Sequence, residues 1–236
     1  MVSNLIWSTT EKDKYCYYVQ KTVGMSNLLP MFPLQIIVFP DEIVHLHIFE
    51  PRYRQLILEC DASGMTFGIP PFLDGNLMEI GTEIRLLSID KTHEDGKMDI
   101  RVQGAGLFRK ITFEDQAPGK LYGIGQVERI DPSKEKEDFL IKSKIMDLVS
   151  ELFRVAHVEK EIPEDPHQFN TYLLSHHIGM TTDQEYELLA LTEPDARQAY
   201  LVDYLEKVLP IARQMEQMRN RAKMNGHFRM IIPPQI

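Results

Sequence analysis

The sequence predicts an α+β protein, a small and partly closed barrel of antiparallel strands followed by a helical bundle with a long last helix. Three observations carry this prediction. Between residues 28 and 130 the apolar residues come in short runs cut by Pro and Gly, and Met98, Ile100 and Val102 alternate with polar neighbours. One helical interruption falls inside that region, where Tyr53, Leu56, Ile57 and Cys60 stand at i, i+3, i+4 and i+7. Beyond residue 131 the pattern turns helical, and Leu201, Leu205, Val208, Ala212 and Met215 step by 4, 3, 4 and 3.

Taken in order, residues 1–24 differ from the rest and read as an extension, mobile rather than folded back as an edge strand. Barrel residues run from 25 to 130. Pro33 and Pro40 bracket Leu34, Ile36, Ile37, Val38 and Phe39, an apolar run that predicts a first strand. Pro40-Asp41 predicts a turn, and Ile43 to Phe49 a second strand. Glu50-Pro51 predicts a helix start, with proline in the first helical position and a carboxylate at the positive end of the dipole. Gly64 predicts its end.

Thr66 to Ile69 predicts a short strand that stops at Pro70-Pro71, and Leu73 to Asn76 a turn. Residues 68–75 read as the mobile loop of this half. Strands follow over 81–90 and from Met98, joined by a hairpin at His93-Glu94-Asp95-Gly96. Gly104 and Gly106 predict a bulge or bend. Two further strands are expected over 107–113 and 121–130.

Asp131-Pro132 marks the boundary with a helical subdomain spanning 131–226, and caps a helix running to about Val155. A second helix is expected around Phe169, Tyr172 and Leu173, closed by Gly179. Thr182-x-x-Glu185 predicts a capping box for a third. Thr192-Glu193-Pro194 opens the long fourth, which Pro210 should kink and Asn225-Gly226 should stop. Residues 227–236 form a tail.

A net charge of −9 argues against nucleic acid and anionic membrane surfaces as partners. Two cysteines, Cys16 and Cys60, make no disulfide framework and fit a reducing cytoplasm. Neither a membrane span nor a signal peptide is expected.

Leu29-Pro30-Met31-Phe32-Pro33-Leu34, then Val38-Phe39-Pro40, then Phe49-Glu50-Pro51-Arg52-Tyr53, resemble the opening of the Lon protease N-terminal domain. The similarity continues weakly through Gly81-Thr82, Asp95-Gly96-Lys97 and Val102-Gln103-Gly104 to Phe108-Arg109, and spans about residues 28 to 224. The resemblance implies a PUA-like β-barrel and a substrate-recognition module, with Pro33, Pro40, Glu50, Pro51 and Arg52 as its structural motif. It does not imply a protease. The pattern GxxxxGK[ST] is absent, since Met98 follows Gly96-Lys97 and Leu121 follows Gly119-Lys120, leaving no hydroxyl for Mg²⁺.

No catalytic residue, cofactor or metal is expected. His45 and His47 share one strand face, but no third ligand is placed by sequence, so they read as solvated or partly packed. Cys60, on an apolar helix face, reads as core rather than nucleophile. Glu50 and Arg52 read as helix capping and a surface pair rather than an acid/base couple. The expected function is recognition of unfolded or exposed protein segments, in a groove between barrel and helices, with a AAA+ protease or a second copy as further partners. Phe49, Tyr53, Phe67, Phe72 and Met215 are the candidate contacts. RNA binding, which PUA-like folds support, is the alternative; the acidic charge and the lack of a basic-aromatic strand motif weigh against it.

Overall fold

A computed structural model describes residues 27–130 and 137–227, with side chains as far as Lys223. The expectations for the extension 1–24, for Asp131-Pro132 and for the tail beyond His227 lie outside these residues. The order of elements is β1 (Leu28–Met31), β2 (Ile43–Ile48), α1 (Pro51–Ser63), β3 (Phe67–Ile69), β4 (Phe72–Leu73), β5 (Asn76–Leu77), β6 (Ile80–Thr92), β7 (Met98–Lys110), β8 (Gly123–Ile130), α2 (Phe139–Ala156), α3 (Thr182–Ala190) and α4 (Pro194–His227). The fold is α+β.

The main sheet has the order β2-β7-β6-β3-β1-β8, and β7 also pairs with β8. Strands β7, β6, β3, β1 and β8 therefore close into a five-stranded barrel, while β2 rides on the first half of β7. All pairings are antiparallel except β1 with β3. Long β7 serves both partners because it bends. Its register against β6 slips between Gly106 and Gly104, opposite Glu83 and Ile84, which leaves Ala105 as the extra residue of a bulge. The bend expected at these glycines is real, but it lies within one strand of 13 residues rather than between two. At Gly104 a side chain would run into the Phe39 carbonyl.

One strand forms elsewhere than expected. The first strand is Leu28–Met31, and the apolar run Leu34–Phe39 makes only an isolated bridge, Leu34 to Pro71. The run is nevertheless buried. Its extended backbone sends alternate side chains to opposite sides. Val38 joins the barrel-side cluster of Phe32, Tyr53, Leu56, Ile57, Phe67 and Ile84. Ile37 and Phe39 join a second cluster, built with Ile80 and Leu107 from the sheet and with Val149, Tyr172, Leu188, Leu201 and Leu205 from the helical half. The Val38 carbonyl accepts from the buried Thr82 hydroxyl. The turn that follows is as predicted. Asp41 sits at φ 64° after Pro40, and Glu42 N donates to Phe39 O at 3.3 Å.

Helix α1 begins and ends as the sequence indicates, with Pro51 first and Gly64 at φ 70° closing it. Glu50 caps through its carbonyl, which accepts from Tyr53 N and Arg54 N, not through its carboxylate. The carboxylate instead pairs with Arg52 at 2.8 Å. Residues 72–77 form a tight hairpin with Asp74 and Gly75 both at positive φ, so the segment expected as a mobile loop is a type I′ hairpin.

In the helical half, α2 starts at Phe139 with Asp138 as N-cap, whose side chain accepts from Leu140 N and Ile141 N. The helix expected around Phe169–Leu173 is replaced by turns and a short 3₁₀ segment, Ser175–His177. Asn170 explains this locally, because its side chain accepts from Tyr172 N and competes with a helical bond. The capping box exists one residue earlier than read, between Thr181 and Gln184. Helix α4 spans 34 residues, through Pro210 and past Asn225-Gly226 to His227.

α2 and α4 run side by side in the same direction, as shown by contacts of Asp138 with Gln198, Lys144 with Glu206 and Glu151 with Arg213. Gln198 is fully buried, and its amide brackets both the N–H and the carbonyl of Asp138. Arg197, 2% exposed, donates to the carbonyls of Leu191 and Thr192 and to the Thr171 hydroxyl. It also lies over the Tyr172 ring and 3.8 Å from Glu137.

The two halves are pinned by His176. Its Nδ1 lies 2.7 Å from Glu185 on α3, its Nε2 3.2 Å from Glu42 in the barrel, and its ring against Phe39. Burial alone would discharge this imidazole, but the hydrogen bonds to Glu42 and Glu185 outweigh it and hold the pKa up at about 9.

Two predictions follow from these contacts. Replacing Arg197 by Ala removes three hydrogen bonds and the more distant of two cations beside Glu137, Lys142 remaining at 3.4 Å, and strands the carbonyls of Leu191 and Thr192, so it is expected to cost about 3 kcal/mol in chemical denaturation. The His176 charge contributes stability fully below its unfolded value of 6.5, and loses it as pH rises to about 9. The difference in melting temperature between the natural chain and His176→Gln should therefore be largest at acidic pH and shrink across that window. A difference independent of pH would assign the contribution of His176 to packing on Phe39 instead.

Candidate functional site

The pin at His176 leaves a cleft beside it. The cleft encloses about 290 Å³ and is lined by Gln35, Ile36, Ile37, Glu42 and Val44 from the barrel side and by His176, Thr182 and Glu185 from the helical side. Its existence follows from the backbone around it. Gln35-Ile36 bends away after the Leu34 bridge, the Pro40-Asp41 turn sends the chain back along β2, and the first turn of α3 faces both. One wall is apolar, from Ile36, Ile37 and Val44. The other carries a cation flanked by two carboxylates, a net charge of −1 for that trio while His176 is protonated.

His176 has both nitrogens committed to carboxylates and is held protonated at neutral pH, so it is no general base. Cys60 is 2% exposed inside α1, and burial, with the nearby Glu59 carboxylate, pushes its thiol up to about 12, the opposite of an activated nucleophile. A volume near 290 Å³ suits one or two side chains of a polypeptide.

The residues expected to make contacts are dispersed. Phe67 is fully buried and Tyr53 is 5% exposed, its ring 3.9 Å from that of Phe32; both belong to the barrel-side core and present no binding surface. The reason is the burial of every residue of β3 and of the inner face of α1. Phe72 is exposed, and its N–H donates to the carbonyl of Leu34, next to Gln35, but its side chain is not among those that line the cleft. Phe49 is exposed at the far end of β2, near His47. Met215 lies outside the cleft on the exposed stripe Ile211, Met215 and Met218 of α4. It is exposed although α2 still runs alongside at this level, as the pairs Arg213–Glu151 and Glu216–His157 show, because it lies outside the face of α4 that carries the buried Leu201, Leu205 and Leu209. Pro33, Pro40, Glu50, Pro51 and Arg52 hold turns and the start of α1, and Arg52 also covers the Tyr53 ring at 4.4 Å.

Sequence reasoning missed Glu42, His176 and Glu185. Histidine and carboxylate at positions 134 residues apart carry no pattern, and only the Asp41 turn hinted that Glu42 would be held in place. It also paired His47 with His45, whereas the structure brings His47 to Asp99 and His93. Those three offer ligand atoms within 4.8 Å of one another. Among the described residues no helix is long and apolar enough to cross a membrane.

A family model described as the ATP-dependent protease La (LON) substrate-binding domain matches residues 28–207. The chain is similar to a solved Lon N-terminal domain protein from Xanthomonas campestris, with 25% identity and a TM-score of 0.57, over 75% of this chain and 98% of that one. It shares its fold with the N-terminal domain of a Mycobacterium avium complex Lon protease, at 15% identity and a TM-score of 0.60, over 76% and 98% of the two chains. Comparison with curated proteins gives no match. The matched residues run from β1 into α4 and include every residue of the cleft, and the chain belongs to the family of LON substrate-binding domains.

Proposed function

We propose that this chain captures exposed or unfolded segments of other proteins in the cleft between barrel and helices, as a recognition module or adaptor without catalysis of its own. The observation that carries the reading is the cleft itself, an apolar wall facing a fixed ion trio, inside the region that matches a substrate-binding family. An apolar client side chain lies against Ile36 and Val44. Client backbone N–H groups or a basic side chain meet the surplus carboxylate charge of Glu42 and Glu185. Strand β2 adds a second mode of grip. Among the described residues it pairs with β7 on one edge and with no strand on the other, and an extended client can lengthen the sheet there.

Delivery to a AAA+ protease is the natural use of such capture, and a cytoplasmic setting fits the free, buried Cys60. Self-association has its own surface in this reading, the stripe Ile211, Met215 and Met218. It is separate from the cleft, so client binding does not need Met215.

The test is anisotropy of a fluorescent, permanently unfolded polypeptide titrated with the full chain. Ile36→Asp places a charge on the apolar wall, and Thr182→Trp fills the cleft from the first turn of α3. Each is expected to weaken binding about tenfold, a loss of roughly 1.4 kcal/mol. Met215→Asp should leave the affinity unchanged. Full affinity in both cleft variants, with melting curves intact, would reject the cleft as the client site.

A further inference from the structure

Away from the cleft, at the far end of β2, three potential ligands converge. The register of β2 on β7 sets His47 opposite Asp99, and Nδ1 of His47 lies 2.6 Å from Oδ1 of Asp99. The β6–β7 hairpin then folds His93 over the same carboxylate, with Nε2 2.8 Å from Oδ2. The two imidazoles meet edge-on, 5.7 Å between centroids. We propose that His47, His93 and Asp99 form a binding site for a borderline divalent transition metal, zinc foremost, with a fourth position open to water or an external ligand.

Two imidazoles and one carboxylate are the donor set such ions select, and three protein ligands leave the coordination shell open. Each donor is placed by a different constraint. His47 is set by a strand register, Asp99 by the start of β7, and His93 by the hairpin bonds His93 N to Lys97 O and Gly96 N to His93 O. Two nearby cations are engaged at the hairpin tip, and a third, Lys91, stands opposite Asp99 on β6. Lys97 pairs with Asp95 at 2.6 Å, and Arg54 donates to the Asp95 carbonyl. Zinc bonds of about 2.0–2.2 Å require donors roughly 3.3 Å apart, so the present hydrogen-bond spacings need to open by less than an ångström. Side-chain exposures of 51%, 31% and 43% for His47, His93 and Asp99 leave the way in open.

The experiment titrates the full chain with zinc chloride against a chromogenic zinc chelator, alongside His93→Ala, Asp99→Asn and the control His45→Ala. His45 shares the outer face of β2 but stands outside the trio. The natural chain and His45→Ala are expected to bind zinc alike, and the two ligand variants at least tenfold more weakly. Zinc should raise the melting temperature of the natural chain and leave that of Asp99→Asn unmoved, and imidazole NMR signals of His47 and His93 should shift together. Absence of zinc binding by the natural chain, an affinity equal to the natural chain's in both ligand variants, or loss of binding in His45→Ala would each overturn the proposal.

Discussion

The structure depends on one extended segment, Ile37-Val38-Phe39, lying between two cores. An extended chain has only two sides, and here both are apolar. Val38 closes the barrel-side core over α1, while Ile37 and Phe39 complete the core beneath the helices. The segment needs no ladder of its own, because its polar groups are served singly. The Val38 carbonyl takes the Thr82 hydroxyl, and Phe39 N donates to the Glu42 carboxylate at 2.8 Å. Gly104 allows the strand behind it to come close. Barrel and helices thus share a wall, and the stacking of Phe39 on Tyr172 at 5.2 Å crosses it. A division at residue 131 remains a description of where strands give way to helices. The hydrophobic cluster beneath the helices takes four of its buried members from the sheet half, Ile37, Phe39, Ile80 and Leu107.

Charge supplements this packing in particular places. Where apolar contact is continuous, as between α2 and α4, the buried polar groups Arg197 and Gln198 saturate loop carbonyls and a helix start that would otherwise be stranded. Where the halves part, the Glu42–His176–Glu185 trio spans the gap. A third point is Glu59, whose carboxylate accepts from Lys120, Tyr122 and Gln55 and so ties α1 to the segment before β8. The Glu42–His176–Glu185 tie spans the cleft without filling it, and a protein of net charge −9 thereby carries an apolar recess edged by carboxylates. A preformed recess lowers the ordering cost of capturing a flexible chain.

Periodicity and punctuation in the sequence were sufficient for the elements that depend on local chemistry. Pro51 and Gly64 bounded α1, Asp95-Gly96 and Asp74-Gly75 made their turns, and the alternation at Met98, Ile100 and Val102 put those three side chains inside. The same rules failed where a tertiary partner decided the outcome. Leu34–Phe39 has strand composition but lies between two cores instead of in a sheet. Phe169–Leu173 has helical spacing but takes turns, with Thr171 and Tyr172 committed to Glu137 and Arg197. Met215 keeps the heptad step but falls outside the face of α4 that packs on α2.

Sequence alone therefore determined the fold class, the long last helix and the family blocks around Phe49-Glu50-Pro51-Arg52-Tyr53, because each is written in neighbouring residues. Only the tertiary structure decided that Tyr53 and Phe67 are core, that Glu42, His176 and Glu185 meet at a cleft and that His47 faces Asp99 rather than His45. The physical reason is distance along the chain. Glu42 and His176, or His47 and Asp99, meet through strand register and a shared core, and no local pattern encodes the meeting of residues so far apart.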